Sequence, residues 1–449
     1  MKDKSFYKGL RNLMIPIVIQ NIINALAGSA GVLMLGFVGQ DEMSGVSLAG
    51  QVTFVLTLLL NGLIAGVTSL TAQYWGKGDT SSIQKIFGIA LRFSLSVSFI
   101  FCVVSIMIPE SIMTLFTSDT KMIQHGADYL RILSISFLFM GFSLVYEMAI
   151  RSMERILPST IITTSYLLLS VFLNAVFIFG WFGAPKLGVL GVALGTTIAR
   201  AIEMLLCFVD TLLIKQTVKL KITCMFHKGG VILKDFIHYS TPALGNYLSW
   251  GLGFTMYSVI LGRLGTDMVA AHAVNSVIRN LAVALGMGVS SGGAVLVGKE
   301  IGMGSLKTAK EYGSKVCRIA LLFGIIGGII ILLCRPLILN IVNLSPTSYS
   351  YLNIMIFMNT YYCIGKVMNC ATISGIFCAG GDTRFGLICD SINMWCFAVP
   401  LGLLAAFVFQ WPMMVVYFCI SLDEVVKLPF VFKHYKKYKW VNNITRSFD

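Results

Sequence analysis

Long apolar blocks constrain this chain more than any other feature. Phe87 to Ile108 holds one charge, Arg92, near its start, and Gly386 to Phe409 holds one, Asp390. A helix that crosses a bilayer needs about 20 mostly apolar residues. Twelve such blocks run through the sequence, at roughly 13–35, 48–72, 87–108, 127–150, 157–180, 187–214, 239–261, 268–298, 316–334, 352–379, 385–409 and 412–432. A membrane β-barrel would instead give alternating segments of about ten residues, and none appear. Only 12% of the 449 residues are charged, against about 25% in a soluble domain. The expected fold class is an all-α polytopic membrane protein with twelve transmembrane helices.

The net charge of +14 could suggest a nucleic-acid partner, but its distribution argues otherwise. With a cytoplasmic amino terminus and alternating spans, 25 Lys and Arg residues fall inside, among them Lys2, Lys4, Lys8 and Arg11. Five fall outside: Lys121, Arg131, Lys186, Arg263 and Arg335. Four more, Arg200, Arg279, Lys366 and Lys427, lie within spans. This is the positive-inside bias. It places a multi-pass protein in the inner (plasma) membrane with both termini cytoplasmic, and it assigns the basic charge to topology and anionic lipid. No nucleic acid is expected. The first span follows Met1–Arg11 without a small-residue cleavage site, so it reads as a retained helix. The 11 cysteines include no CxxC pair, and most read as small apolar packing residues; no metal site is expected.

The chain also resembles itself. Shifted by 226 residues, it matches without gaps from Pro16/Pro242 to Arg92/Arg318, with 13 of 77 positions identical. Six of these are glycine pairs: Gly36/Gly262, Gly39/Gly265, Gly62/Gly288, Gly66/Gly292, Gly76/Gly302 and Gly78/Gly304. Six spans separate corresponding points, an even number, so the halves share one orientation and form a parallel repeat. Two six-helix lobes related by a pseudo-two-fold axis along the membrane normal are expected. Residues 1–214 form the first lobe, 215–238 a basic cytoplasmic linker, 239–432 the second lobe, and 433–449 a basic cytoplasmic tail. Gly62-x-x-x-Gly66 and Gly288-x-x-x-Gly292 are small-xxx-small motifs that let helix backbones approach closely. Pro16 and Pro242 lie in the first helix of each half, where each removes a backbone donor.

Several motifs, in order along the whole chain, carry a resemblance. They are Pro16…Asn21…Gly36-Phe-Val-Gly39, Ala72-Gln-Tyr-Trp-Gly-Lys-Gly78, and Asn174…Phe179-Gly180…Pro185-Lys-Leu-Gly188…Gly191…Thr196…Arg200…Glu203. The second half adds Gly262-Arg-Leu-Gly265, Gly298-Lys-Glu-Ile-Gly302, Ala379-Gly-Gly-Asp-Thr-Arg-Phe385, Asp390, Trp395, Pro400 and Asp423-Glu-Val-Val-Lys427. The sequence resembles the multidrug and toxic compound extrusion (MATE) family, most of all the variants of Gram-positive anaerobes. The resemblance implies a secondary-active antiporter that exports small cationic or amphiphilic organic compounds in exchange for protons or sodium ions. It implies a small-molecule substrate, a monomer, and no cofactor beyond the coupling ion. A lipid-linked precursor flippase of the same broad superfamily is the alternative reading. No Walker loop, His/Asp/Glu metal cluster or Ser–His pair points to an enzyme. The resemblance also implies an amino-terminal cation site. Here it keeps Asn174 and Thr196, with Asn21 on the first helix as a further candidate. It has Gly31 and Ile178 where family members often carry acids, and Tyr247 where the seventh helix often carries Glu.

Ionisable groups deep in a bilayer are costly and are functional candidates by default. Glu147 and Arg151 are spaced for an i,i+4 ion pair, and Arg200 and Glu203 for an i,i+3 pair. His272, Asn275 and Arg279 form one polar stripe on the eighth helix, expected to face the cleft or another helix. Asn21, Asn24 and Gly28 form a similar stripe on the first. Lys366, with Asn369 one turn on, lies about 20 Å from the cytoplasmic end of its helix at 1.5 Å per residue, too far to reach the surface. Its candidate partners are Asp390, Asp423 and Glu424. Depth favours a Lys366–Glu424 pair, while Asp423 and Lys427 are spaced to pair with each other.

Overall fold

The structure is a computed structural model that describes residues 2–446 apart from 36, 38, 214–221, 227–229, 342 and 343. Gly36 and much of the 215–238 linker therefore lie outside the described residues.

The described residues are mostly helical, without a strand. In chain order the helices are α1 (Lys2–Leu35), α2 (Gln40–Lys77), α3 (Thr80–Met107), α4 (Pro109–Thr114), α5 (Thr120–Ser152), α6 (Ile156–Phe179), α7 (Val189–Leu213) and α8 (Gly230–Gly262). There follow α9 (Thr266–Gly302), α10 (Leu306–Ile341), α11 (Pro346–Asn369), α12 (Thr383–Ile392), α13 (Val399–Leu403), α14 (Met413–Ser421), α15 (Asp423–Val426) and α16 (Leu428–Lys436). Among the described residues, seven helical stretches are long and apolar enough to cross a membrane: 41–77, 80–107, 120–152, 156–179, 189–212, 306–340 and 383–408. The apolar run at 412–432 is not one helix but three short pieces, α14 to α16. Large apolar side chains stand exposed along the long helices, such as Phe99 and Ile100 on α3 and Leu333 on α10. In water that surface would aggregate, whereas against lipid tails it costs nothing.

Helix starts follow local chemistry. Asp79 caps α3 by accepting from the Ser82 amide at 3.0 Å, and Asp119 caps α5 through the amides of Lys121 and Met122. Gly78 and Gly304, a repeat pair, both turn through left-handed backbone at φ +80° and +78°, a conformation glycine adopts without strain.

The chain divides into two compact units. One comprises Met1–Asn21, Thr68–Gly78 and Ile237–Asp449; the other comprises Ile22–Val67 and Asp79–Phe236. In the second, an apolar core gathers Leu35, Leu56, Leu130, Phe137, Ile178 and Val192. In the first, the GxxxG face of α9 meets α1. A side chain at Gly288 would strike Val18, and one at Gly292 would press on Leu10 and Leu13. The end of α2 packs on the end of α9 in a reciprocal way. A side chain at Gly76 would strike the carbonyl of Lys299, and one at Gly302 the carbonyl of Gln73. Lys299 is Gln73 shifted by 226, and Gly302 is Gly76 shifted likewise. Ala72 and Gly298, also repeat mates, face each other: a Cβ on Gly298 would sit 3.0 Å from that of Ala72.

The carboxy-terminal segment is a strap rather than a loose tail. Trp440 is fully buried, stacked on Tyr435 at 5.5 Å between ring centres. Gln73 donates to the carbonyls of Ala379 at 2.7 Å and Asn442 at 3.1 Å, and accepts from the Ile444 amide at 2.9 Å.

Candidate functional site

Buried charge concentrates where α11, α12, α15 and α8 meet. Past Asn369, α11 continues as a π-helical stretch, Cys370–Phe377. Such stretches re-aim side chains and often mark functional sites. At its start Ser290 of α9 donates to the Cys370 carbonyl at 2.8 Å. Lys366, ahead of it, donates to Glu424 Oε1 at 2.9 Å. Asn369 Nδ2 donates to both the Glu424 carbonyl (2.7 Å) and Glu424 Oε2 (2.8 Å). Lys427 reaches the same carboxylate at 3.0 Å. Glu424 is thus fully buried with two ammonium groups and an amide turned on it.

The expected Asp423–Lys427 pair is replaced. Lys427 bridges Glu424 and Asp390, the latter at 2.8 Å. Asp423 Oδ1 accepts from the adjacent Glu424 amide at 2.7 Å, and Oδ2 receives a long bond from Tyr257 at 3.4 Å. The helix is interrupted at Leu422 and restarts at Asp423, so the carboxylate folds back onto its own first turn instead of reaching along the helix. Three further residues complete the cluster. Asn246 of α8 donates to Asp390 Oδ2 at 3.0 Å, Asn393 donates to the Asp423 carbonyl at 2.5 Å, and the Trp250 ring lies 5.0 Å from Lys366 Nζ. Tyr247 is half-buried one position past Asn246, and no hydrogen bond joins it to the cluster among the described residues. The Asn369 Oδ1 and Asn246 Oδ1 atoms are buried without a hydrogen-bond partner among the described residues.

The stripe on α9 faces other helices. Asn275 donates to the Tyr417 hydroxyl at 2.6 Å and accepts from Asn359 at 2.7 Å. Arg279 lies over the Tyr362 ring at 3.2 Å and reaches Tyr417 at 3.4 Å. His272 meets Tyr417 edge-on at 6.0 Å between centres.

The other unit holds the implied amino-terminal cation site. Thr196 Oγ1 and Asn174 Oδ1 are 3.4 Å apart, and Ser170 lies 3.5 Å from Thr196. A Cβ on Gly31 would sit 3.2 Å from Asn174 Nδ2, so the position that lacks an acid faces this pair. Ile178 is buried in the apolar core. Asn21 belongs to the first unit and is half-buried. A hard cation prefers several oxygens, with charge among them, and this group offers neutral oxygens only. Nearby in sequence, Arg200 and Glu203 pair at 2.7 Å as their spacing predicts. Glu147 accepts from Thr163 at 2.5 Å and Arg151 donates to Ser159 at 3.0 Å, both on α6. Asp210 takes Tyr146 at 2.6 Å and Arg155 at 3.0 Å.

Residues 16–176 and 242–404 match the sequence profile of the MatE family. The chain is 26% identical over 420 residues, 90% of its length and 86% of the relative's, to the "Probable multidrug resistance protein NorM" of Thermotoga maritima. It is 20% identical over 441 residues, 98% and 96% of the two lengths, to the "Uncharacterized transporter YisQ" of Bacillus subtilis. Among solved structures it is similar to a multidrug resistance MATE family transporter of the MOP superfamily in its outward-facing conformation. That likeness has a TM-score of 0.86 at 18% identity and covers 96% of this chain and 95% of the other. A MATE in the bent conformation gives 0.84 at 16% identity over the same shares. The two matched segments begin 226 residues apart, the period of the internal repeat, and together they span most of the chain: it belongs to the MatE family and is a MATE transporter.

Proposed function

We propose that this transporter is an antiporter that exports small cationic or amphiphilic organic compounds in exchange for protons, by alternating access of two six-helix lobes in the plasma membrane, with both termini cytoplasmic. The reciprocal contacts of Gly76 with Lys299 and Gly302 with Gln73 support the lobe arrangement, since a two-fold axis makes every contact occur twice. The 25-to-5 asymmetry of basic residues supports the orientation.

The observation that carries the coupling reading is the buried cluster of Lys366, Lys427, Glu424, Asp390 and Asp423. Two ammonium groups face three carboxylates within one packed neighbourhood. Glu424 is held by three donor side chains and stays ionised, whereas Asp423 has no cation within bonding reach among the described residues and is the carboxylate that takes the proton. Protonation there, or a cationic substrate near Asp390 and Glu424, redistributes Lys427 between its two partners and biases the lobe. A sodium site at Asn174 and Thr196 is disfavoured by Gly31 and Ile178. The flippase reading is disfavoured too, because the cluster's lysines are already matched by carboxylates instead of being left to meet lipid phosphates.

Efflux of a fluorescent cation from right-side-out vesicles under imposed gradients tests this. Transport should follow the pH gradient, persist without sodium, and survive Asn174→Ala. Sodium-dependent efflux that is unaffected by pH and lost in Asn174→Ala would overturn the proposal.

A further inference from the structure

We propose that a polar cavity at the start of α12 binds a phosphate group, either inorganic phosphate or the headgroup phosphate of an anionic phospholipid. The cavity, about 500 Å³, lies wholly within one unit and is lined by residues of α8, the 381–384 turn, α16 and the carboxy-terminal strap. It is separate from the buried charge cluster.

Three features converge on it. The first is the amino terminus of α12. The first amides of a helix have no acceptor within the helix and carry its positive end. Here the capping residue, Asp382, makes no side-chain bond to them, because its carboxylate is taken by His434 Nε2 at 2.6 Å. Phe385 stacks flat on that imidazole at 3.7 Å between centres, which holds the pair in place. The second is Thr383, the first residue of the helix, which lines the cavity. It is 3% exposed, and its hydroxyl has no hydrogen-bond partner among the described residues. The third is the pair of cations on the wall, Arg384 and Lys439. Arg384 Nη2 lies 3.4 Å from His238 Nδ1, a ring nitrogen rather than an acid. Two cations against the one carboxylate of Asp382 leave the cavity at +1 with both histidines neutral. Uncapped amides, a hydroxyl and a guanidinium fork are the donor set that a tetrahedral oxyanion accepts.

The position suits a lipid headgroup as well as a free ion. Thr383 opens the apolar span 383–408, and Ile237, Ile388 and Phe430 stand exposed on the flanking helices. Acyl chains would lie along that surface with the phosphate level with the cavity.

The test uses the purified full-length protein. Binding is followed through thermal unfolding in two titrations. One adds inorganic phosphate at constant ionic strength. The other raises phosphatidylglycerol in phosphatidylcholine nanodiscs. At least one should give a saturable stabilisation. Arg384→Gln should weaken it about tenfold, as loss of a charge-assisted fork does. Arg384→Lys should weaken it several-fold, because the charge remains but the fork is lost. Thr383→Val should also weaken it, while Lys437→Gln, outside the cavity, should leave it unchanged. Saturation by phosphate alone assigns a soluble ion, and saturation by phosphatidylglycerol alone assigns a lipid; either supports the site. No saturable effect in either titration overturns the proposal. So does an effect that Thr383→Val, Arg384→Lys and Lys439→Gln leave at the wild-type value, which would mark non-specific attraction. Should Arg384→Gln fail to fold, Thr383→Val and Lys439→Gln carry the same decision.

Discussion

Glu424 and Lys366 do not depend on each other equally. Glu424 retains Lys427 at 3.0 Å and Asn369 if Lys366 is removed. Among the described residues, Lys366 retains the Trp250 face if Glu424 is neutralised, and Lys427 retains Asp390. Removing one partner of a buried pair costs about 3–5 kcal/mol when an uncompensated charge is left behind. Glu424→Gln should therefore fall near that range and Lys366→Met clearly below it, read as folded yield and as the melting temperature in detergent. Equal losses would mean that Lys427 does not share the carboxylate. The Lys366–Glu424 contact was legible in the sequence, because rise per residue gives depth along a helix. The partner of Lys427 was not. Spacing pointed to Asp423, but that residue opens a four-residue helix and its carboxylate accepts from the next backbone amide, Glu424, while Lys427 reaches Asp390. Asn246 was likewise invisible: one amide in an apolar helix gains meaning only when tertiary packing sets it against Asp390.

At the scale of elements, periodicity and capping residues announce the helices, whereas contacts made far along the chain stay hidden. The carboxy-terminal strap illustrates this. Lys433, Lys436, Lys437 and Lys439 make it read as a basic tail, yet Trp440 is fully buried and Ile444 nearly so. Nothing local predicts that Gln73, more than 360 residues earlier, will bind its backbone. Trp440→Ala should destabilise the protein by about 3–5 kcal/mol, the cost of emptying a large core site. A melting temperature unchanged by the substitution would mean the strap is not held by that ring. A second element-level contact is titratable. Asp267, ahead of the 268–298 span, accepts from the hydroxyls of Ser345 and Ser348 and so ties the start of α9 to the start of α11. Those hydroxyls, Ser345 first, hold its carboxyl below the ordinary value of 3.8. A depressed folded-state value means the contact contributes fully above the unfolded value and is lost as pH falls through the folded one. Amide exchange at the start of α11 should accordingly quicken only as pH drops below about 4, and Asp267→Asn should remove that pH dependence. Asp41, its repeat mate, stands 3.9 Å from Lys121 at the start of α5, so each half places an aspartate at the same junction.

For the whole molecule, the repeat and the charge distribution lead to one expectation about sidedness. Contacts recur in reciprocal form, with Gly76 on Lys299 and Gly302 on Gln73, as the proposed parallel repeat expects; under that proposal corresponding points of the two halves lie at the same depth and on the same side. On the proposed arrangement the turns at Gly78 and Gly304 face one compartment, and the positive-inside bias favours the cytoplasm. The same proposal expects the loops with Lys121 and Lys186 outside. Single cysteines at Lys121, Lys186, Lys307 and Lys437 test this with a membrane-impermeant maleimide. The native thiols give a low background, since most are buried. In intact cells the first two positions should label and the last two should not, and permeabilisation should expose all four. Labelling of 307 and 437 from outside together with 121 and 186 would place the second half upside down relative to the first and dismiss the parallel repeat. Labelling of 307 and 437 together, with 121 and 186 protected, would keep the repeat and reverse the orientation. The two inferences, symmetry from glycine spacing and sidedness from basic residues, can thus fail separately.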